Sequence, residues 1–342
     1  MAFGGDGLVR LPNGKVCFVP RVIPGERVEL RIGRERSSYA EAQLVKIVET
    51  SSDRVAPPCP VFGQCGGCQY QHVAYPRQLE LKSQQVADVL RRLGGAKDVT
   101  VEHTMASPLQ YQYRNRVTVH VHHGRIGFYA PKSRKVVPVR QCPIASETVN
   151  TLLDDLCKSA PRDGEYPLRE PSEFRGFRQV NDAAATILVE VALSMAQPGG
   201  PLLVDAYCGA GFFAQKFSGL FKLIIGIEWS EDAIRTARQR AGSSEIYLLG
   251  DVKRHLVAAL AAASPDATTL LLDPPAEGID PEVLAMIATR KPARIIYVSC
   301  NPSTLARDFR GLSEHYALKR VVPVDMFPQT AEIEVVTLLE RL

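Results

Sequence analysis

The sequence predicts an α/β protein with a seven-stranded, doubly wound sheet that follows two smaller β-rich units. Three observations lead to this prediction. From about residue 180 onward, apolar runs of strand length alternate with helical patterns, as in strand–helix–strand units. Residues 1–50 contain short apolar runs separated by Gly and Pro, which is typical of a small β-barrel. Between the two lies a cysteine-containing region that is β-rich and basic.

The first unit is predicted from three strand-like runs at residues 16–19, 27–31 and 42–48. Glycine and proline turns separate these runs, and a proline-rich segment at 53–60 ends the unit. We therefore expect residues 1–52 to form the barrel.

The central unit is expected over residues 53–175. Its first element is a helix over 76–93, where apolar residues recur at helical spacing before Gly94 and Gly95 stop the pattern. Residues 113–139 are predicted to be β-rich, because Val117, Val119 and Val121 alternate with polar residues.

The third unit is expected over residues 176–342. Strands and helices alternate along it, so its sheet should carry helices on both faces. The seven predicted strands are 202–208, 223–229, 245–251, 269–273, 294–300, 317–325 and 333–339.

Charge and composition restrict the class of protein. Residues 1–175 carry 25 Lys and Arg against 18 Asp and Glu, a balance of +7, while residues 176–342 carry 16 against 19, a balance of −3. The first half is thus the expected polyanion-binding face. No run approaches the ~20 apolar residues that span a bilayer, and the N-terminus lacks the pattern of a signal peptide, so a cytoplasmic protein without membrane contact is expected.

Four of the eight cysteines are spaced like metal ligands: Cys59, Cys65 and Cys68, with Cys142 far downstream. Four thiolates suit either a tetrahedral Zn²⁺ ion or a [4Fe–4S] cluster. Proline follows the first and the last of them, which favours the cluster. Of the other four, Cys17 and Cys157 stand in apolar surroundings and are predicted to be packing residues.

A nucleoside cofactor is predicted at Asp205-Ala-Tyr-Cys-Gly-Ala-Gly211, where a strand runs into a glycine turn. Glu228 ends the next strand, 17 residues after Gly211, at the position of an acid that binds ribose hydroxyls. Asp251 ends the third strand, within reach of an adenine amino group. A third glycine for pyrophosphate contact is missing, so S-adenosylmethionine is favoured over a dinucleotide. Asp273 ends the fourth strand before two prolines, as in methyltransferases that act on planar groups.

The sequence also predicts a nucleophile and a base. Cys300 follows an apolar strand in Val298-Ser-Cys-Asn-Pro302, which places a thiol at the edge of the sheet. Addition of its thiolate to C6 of a uracil would make C5 reactive towards a methyl donor, and a general base must then remove the C5 proton. Glu334 is placed for that role if the last strand runs antiparallel beside Cys300, and Glu332 is the competing candidate.

With these motifs the chain resembles the RNA uracil-C5 methyltransferase family along nearly all of its length. Residues 1–50 resemble the TRAM domain, an OB-like RNA-binding barrel, and the four spaced cysteines match the [4Fe–4S] ligands of the family. The resemblance implies that Cys300 is the nucleophile and Glu334 the base. It further implies cofactor contacts from Gln179, Tyr207, Glu228, Asp251 and Asp273.

The family resemblance also leads to expectations about the partner. We expect a monomer that acts on structured RNA, with 23S rRNA preferred and tRNA as the alternative; an RNA-binding protein with an inactive catalytic domain is a second alternative. Three positions depart from the family pattern, namely Phe212, Ala276 and Glu332, and these imply altered substrate contacts. The candidates for phosphate contact are Arg114, Arg116, Arg125, Lys132, Arg134 and Lys135.

Overall fold

The computed structural model describes residues 1–171 and 178–342 of the chain. Its first unit is a four-stranded sheet of order β1-β2-β4-β3, in which β1 and β3 form the two edges. The hydrogen-bonded ladder does not close between these edges, so the expected barrel is an open sheet around a small core that includes the buried Cys17. The strands are β1 (Gly7–Arg10), β2 (Val16–Val19), β3 (Arg27–Glu35) and β4 (Tyr39–Glu49).

The central unit contains a second four-stranded sheet, of order β7-β6-β5-β8. A long helix precedes it, and a shorter helix lies between its last two strands in sequence. Cys157, in the shorter helix, packs against the small core of this unit as predicted. The elements are α1 (Tyr75–Arg92), β5 (Arg116–His122), β6 (Arg125–Tyr129), β7 (Val136–Pro138), α2 (Glu147–Lys158) and β8 (Gly164–Arg169).

The third unit contains a seven-stranded sheet of order β11-β10-β9-β12-β13-β15-β14. The first five strands in that order are parallel, and β15 runs antiparallel between β13 and β14. The strands are β9 (Gly200–Ala206), β10 (Phe221–Glu228), β11 (Glu245–Leu249), β12 (Thr268–Leu272), β13 (Arg294–Ser299), β14 (Tyr316–Val324) and β15 (Glu334–Arg341). The helices are α3 (Asp182–Ala196), α4 (Ala214–Phe217), α5 (Glu231–Arg240), α6 (Val252–Leu260), α7 (Pro281–Arg290) and α8 (Pro302–Leu312).

Helices cover both faces of this sheet, so the predicted α/β class is confirmed. One face packs against α6, α7 and α8, and the other against α3, α4 and α5. The first face is also covered by α1, through Val86 and Leu90. Although the sequence places α1 in the central unit, the apolar side of this helix is therefore buried on the third unit.

The predicted strands agree with the observed ones to within a few residues. The largest end shift is in the first unit, where the strand predicted over 27–31 continues to Glu35. In the third unit no end shifts by more than two residues; at 245–251, for example, the strand stops at Leu249 and Asp251 instead begins the next helix. The expected domain boundary at 175/176 lies outside the described residues. Among the described residues, no helix combines the length and the apolar character needed to cross a membrane.

Candidate active site

The predicted catalytic and cofactor residues converge on the edge of the sheet where the parallel strands end. β9, β10, β12 and β13 end there, at Ala206, Glu228, Leu272 and Ser299. Because β15 is antiparallel, its first residue lies at the same edge, and Val335 is paired with Ser299. The carboxyl edge of a parallel sheet is the usual ligand-binding edge of such folds.

The turn after β9 has the shape of a cofactor cradle. Tyr207 has a left-handed backbone with φ of 67°, an unfavourable conformation for a non-glycine residue that is concentrated at functional sites. At Gly209 an added Cβ would meet nothing within 4 Å, whereas at Gly211 it would lie 2.7 Å from the Tyr247 hydroxyl. The turn is thus packed on one side and open on the other, which fits a nucleoside cofactor.

Glu228 is fixed beside this turn. One of its carboxylate oxygens accepts a hydrogen bond of 3.2 Å from the Gly209 N–H, and the other accepts one of 2.9 Å from the Ser230 N–H. Each oxygen keeps lone pairs that can accept hydrogen bonds from ribose hydroxyls. Asp251 caps α6, with its carboxylate accepting a hydrogen bond of 2.9 Å from the Lys253 N–H, and stays exposed.

A buried carboxyl group that the sequence reasoning did not single out lies below the turn. Asp205 has no exposed surface, and neither carboxylate oxygen has a hydrogen bond of regular geometry. Burial raises its pKa well above the usual value, with a further contribution from Asp273. Burial also raises the pKa of Asp273 to about 7. A signal was available, since Asp205 starts the glycine motif at the strand end.

Gln179 is buried at the start of the third unit. Its backbone carbonyl oxygen accepts a hydrogen bond of 2.7 Å from the side-chain amide of Asn115, a residue of the central unit. Two residues later, Asn181 caps α3 and donates a hydrogen bond to the Met326 carbonyl. Phe177, two residues before Gln179, lies outside the described residues.

Cys300 is the first of the two residues between β13 and α8. Asn301 is the N-cap of α8, and its side chain accepts a hydrogen bond of 3.0 Å from the Ser303 N–H, a cap that contributes about 1 kcal/mol. Cys300 itself is exposed overall. Partial burial of the thiol raises its pKa to about 11, and the carboxylates of Glu334 and Asp273 add to that rise.

Of the two candidate bases, Glu334 and Glu332, Glu334 is the buried one, and its charge acts on Cys300. It is 5 % exposed, and one of its oxygens is buried without a hydrogen-bond partner. Burial raises its pKa well above the usual value, and Asp273 and Glu332 raise it further. Glu332 points outward instead and forms an ion pair of 3.2 Å with Arg114.

The four spaced cysteines line one cavity of about 160 Å³ in the central unit. The Gly67 N–H donates a hydrogen bond of 3.4 Å to the Cys65 sulfur. Burial raises the pKa of the Cys68 thiol to about 12, so these thiols need a nearby cation to ionise. Within residues 1–171 and 178–342 no group of three or more His, Cys, Asp or Glu side chains is arranged to hold a metal ion. The four thiols that line the cavity are nevertheless a donor set that suits a metal centre.

Arg114 was predicted to be a phosphate contact, and the structure places it elsewhere. Its guanidinium lies against the cysteine cavity, pairs with Glu332 and sits 5.6 Å from the centre of the Phe327 ring. It is therefore engaged within the protein. The candidates on the β6–β7 side, Arg125, Lys132, Arg134 and Lys135, are exposed. Arg116 is partly buried in β5.

Comparison with known proteins shows the family. A family model described as tRNA (Uracil-5-)-methyltransferase matches residues 255–342, and a TRAM domain model matches residues 2–45. The chain is 30% identical to an uncharacterized RNA methyltransferase of Halalkalibacterium halodurans, over 98% of this chain and 94% of that protein. It is 31% identical to one of Gloeobacter violaceus, over 100% of this chain and 95% of that protein.

The chain belongs to the RNA (uracil-5-)-methyltransferase family. It is an S-adenosylmethionine-dependent enzyme of that family, with an N-terminal TRAM domain. The alignments extend over 433 and 439 positions, more than the 342 residues of this chain, so these relatives contain segments that it lacks.

A solved structure of the family has the same fold. The tRNA (uracil-54, C5)-methyltransferase of Pyrococcus abyssi, crystallised with S-adenosyl-L-homocysteine, superimposes with a TM-score of 0.72 at 24% identity. The match covers 98% of this chain and 100% of that chain. The overall fold is therefore that of a known tRNA (uracil-54, C5)-methyltransferase.

Trp229 is a second residue that the sequence reasoning missed. It is the only tryptophan of the chain, it follows Glu228 directly, and it is 77% exposed. An exposed aromatic ring next to an acid predicted to bind ribose can stack on a nucleoside base. The signal was its position at the end of the second strand of the sheet.

We expect the tryptophan emission of this protein to change on addition of S-adenosylhomocysteine, because Trp229 is its single source. A fluorescence titration measures the change. Glu228→Ala should weaken the apparent affinity about 10- to 150-fold, since a hydrogen bond to a charged group contributes about 1.5–3 kcal/mol. Calorimetric binding without any change in emission would show that Trp229 is remote from the cofactor.

Proposed function

We propose that the enzyme methylates C5 of a specific uridine through a covalent intermediate, with Cys300 as nucleophile and Glu334 as general base. The observation that supports this most is the antiparallel pairing of β13 with β15, which brings the residue after Ser299 and the first residue of β15 to one sheet edge. No other thiol of the described residues is exposed.

The cofactor, when bound, supplies an electrophilic methyl group at the carboxyl edge of the sheet. Glu228 would hold the ribose and Asp251 the adenine, while Gln179, Tyr207 and Asp273 would line the rest of its site. Cys300 adds to C6 of the uracil, so that electron density moves to C5 and makes that carbon nucleophilic. After C5 is methylated, Glu334 takes the C5 proton, the C6–sulfur bond breaks and the thiolate is restored.

The electrostatics of the site suit this sequence of events. A carboxyl group with a raised pKa is a stronger base than an ordinary glutamate once it is ionised, and Glu334 has such a pKa. The carboxylates of Glu334 and Asp273 oppose ionisation of Cys300. A sulfonium cation near Asp273 would offset this repulsion, so the thiol is expected to become reactive mainly when the cofactor is present.

We further propose that Cys59, Cys65, Cys68 and Cys142 bind a [4Fe–4S] cluster. The four thiols line one cavity, and four thiolates also suit a single tetrahedral Zn²⁺ ion with bonds of about 2.3 Å. The proline that follows Cys59 and the one that follows Cys142 favour a cluster, whose thiolates bind separate iron atoms. The cluster would fix the loops of the central unit, and no reaction step depends on it.

Cys65→Ser is expected to lower both the yield of soluble protein and its affinity for RNA, because the cysteine segment then loses its cross-link. Cys157→Ser, a change at a packing cysteine of the same unit, is the matched control. Iron and sulfide analysis of anaerobically purified protein, with its visible spectrum, measures the cluster. Detection of zinc without iron would show that the four cysteines bind zinc rather than a cluster. Normal folding and RNA binding of Cys65→Ser would refute the structural role.

The RNA-binding surface is proposed to span the first two units, residues 1–52 and 53–175. These units carry the net positive charge of the chain, and the exposed cations of the β6–β7 region lie there. Uracil inside a folded RNA is stacked, so the target base must be turned out into the third unit to reach Cys300.

The proposed target is 23S rRNA, on the basis of the TRAM domain together with the cysteine centre. A tRNA uridine is the second candidate, favoured by the fold match to a tRNA (uracil-54, C5)-methyltransferase. An inactive, RNA-binding form of the domain is disfavoured, because both reactive groups are present at one edge.

The deciding experiment incubates anaerobically purified enzyme and labelled S-adenosylmethionine with unmodified 23S rRNA or with tRNA transcripts. Nucleosides from the digested RNA are then assayed for 5-methyluridine. Label in only one RNA identifies the substrate. Label in neither, with cofactor binding intact, would contradict the proposed activity and direct attention to Phe212, Ala276 and Glu332.

A further inference from the structure

The segment that leads to Glu334 has almost no regular structure of its own. Residues 325–333, here the base loop, connect β14 to β15 and form neither helix nor strand. Backbone groups in such a buried segment need partners from elsewhere. Several of those partners come from residues 69–82, about 250 positions earlier in the chain.

Lys82, on the buried side of α1, makes the most concentrated set of these contacts. Its ammonium lies 2.6 Å from a carboxylate oxygen of Asp325, and neither side chain has any exposed surface. It also donates hydrogen bonds of 3.1 Å to the Phe327 carbonyl and 2.9 Å to the Glu332 carbonyl. An ammonium has three donors, and all three are therefore used on the base loop.

These three acceptors stand at both ends of the base loop. Asp325 and Phe327 belong to its beginning, and Glu332 lies two residues before Glu334. Lys82 thus ties the end of the loop to its start and fixes where β15 begins. The middle of the loop is held separately: Gln78 exchanges two hydrogen bonds with Gln329.

We propose that Lys82 is a positioning residue for the general base: its ammonium closes the base loop and thereby holds Glu334 opposite the C5 proton. This inference rests on the proposed function, because it concerns the step in which Glu334 acts. A general base must lie within hydrogen-bond reach of the proton it removes, and an error of about 1 Å can slow a reaction about 100-fold.

Loss of the Lys82 contacts should affect the two halves of the reaction unequally. Addition of Cys300 and methylation of C5 need no base at Glu334, whereas release of the RNA does. When the base loop shifts, methylated RNA should therefore remain bound covalently to Cys300. A merely structural defect would slow both halves together and leave no excess of the adduct.

The test uses single-turnover reactions with ordinary uridine-containing RNA and measures the methylated protein–RNA adduct on denaturing gels over time. The main variant is the double substitution Lys82→Met and Asp325→Asn, which removes the ammonium without leaving an unpaired buried charge. Asp325→Asn alone keeps the two carbonyl bonds but leaves the buried ammonium without its counter-charge, so thermal unfolding of this second variant is measured alongside its adduct. Gln85→Met is the matched control, since Gln85 is buried on the same helix and bonds to Ala2 and Tyr70 outside the base loop.

We expect the double variant to prolong the lifetime of the adduct about 100-fold, Asp325→Asn about ten-fold, and Gln85→Met not at all. Glu334→Gln defines the adduct expected when the base is missing. If Glu334→Gln accumulates adduct and neither Lys82 nor Asp325 variant does, the positioning role is overturned. If Glu334→Gln itself accumulates none, the assignment of the base fails, which is a failure of the proposed function.

Discussion

Replacing Cys300 by alanine is expected to lower the rate of RNA methylation by at least about 10⁴-fold, because loss of the residue that forms a covalent intermediate commonly costs this much. The structural cost should be small, since Cys300 is exposed in the two-residue connection between β13 and α8. Methyl transfer to the RNA substrate is measured with labelled S-adenosylmethionine. Trp229 fluorescence checks that the cofactor still binds.

The matched control is Cys157→Ala, which removes a thiol from α2 far from the sheet edge and should retain full activity. RNA containing 5-fluorouridine gives an independent check, because fluorine at C5 cannot leave as a proton. The natural enzyme should form a stable adduct with that RNA, and Cys300→Ala should form none. An adduct with Cys300→Ala would assign the nucleophile to another residue.

Glu334→Gln is expected to reduce turnover about 10³-fold, within the usual range for loss of a general base. The amide has nearly the same shape as the carboxyl group but cannot accept the C5 proton. One methyl group per enzyme should still be transferred, and the RNA should stay attached to Cys300. Quantifying methylated adduct against free product separates this outcome from a simple loss of binding.

The same residue sets the expected pH dependence. Glu334 acts as a base only when it is ionised, and its pKa is raised by burial and then by Asp273 and Glu332. Turnover of the natural enzyme should therefore increase as the pH rises through that raised pKa, and ionisation of Cys300 acts in the same direction. Glu332→Gln removes one neighbouring charge and should shift the profile to lower pH. A turnover that falls from about pH 6 to pH 9 would contradict this assignment.

The motifs of the third unit could be located from sequence because each depends on local chemistry. A glycine turn after a buried strand, an acid at the end of the next strand and a cysteine before Asn301-Pro302 are short patterns with direct structural consequences. The strands themselves were predictable since their residues are buried on both faces and therefore form continuous apolar runs.

Several features depend on contacts between distant segments and could not be predicted in this way. The sequence gives no indication that the ladder from β1 to β3 stays open, nor that α1 packs on the third unit. It does not show that Arg114 faces Glu332 rather than RNA, because the two residues are 218 positions apart. The sequence shows Asp205 at the start of the glycine motif. Only the packing reveals that its carboxyl group is buried without a hydrogen bond of regular geometry.

The sequence by itself determined the chemistry of this protein: which thiol, which carboxylates and which four cysteines are available, and the cofactor class they suit. The tertiary structure decided how that chemistry is positioned. Glu334 rather than Glu332 is buried near Cys300 because β15 runs antiparallel to β13, and the loop before it is closed by Lys82 from another unit. Hydrogen bonds across 250 residues follow from the packing of whole elements, which no local pattern encodes.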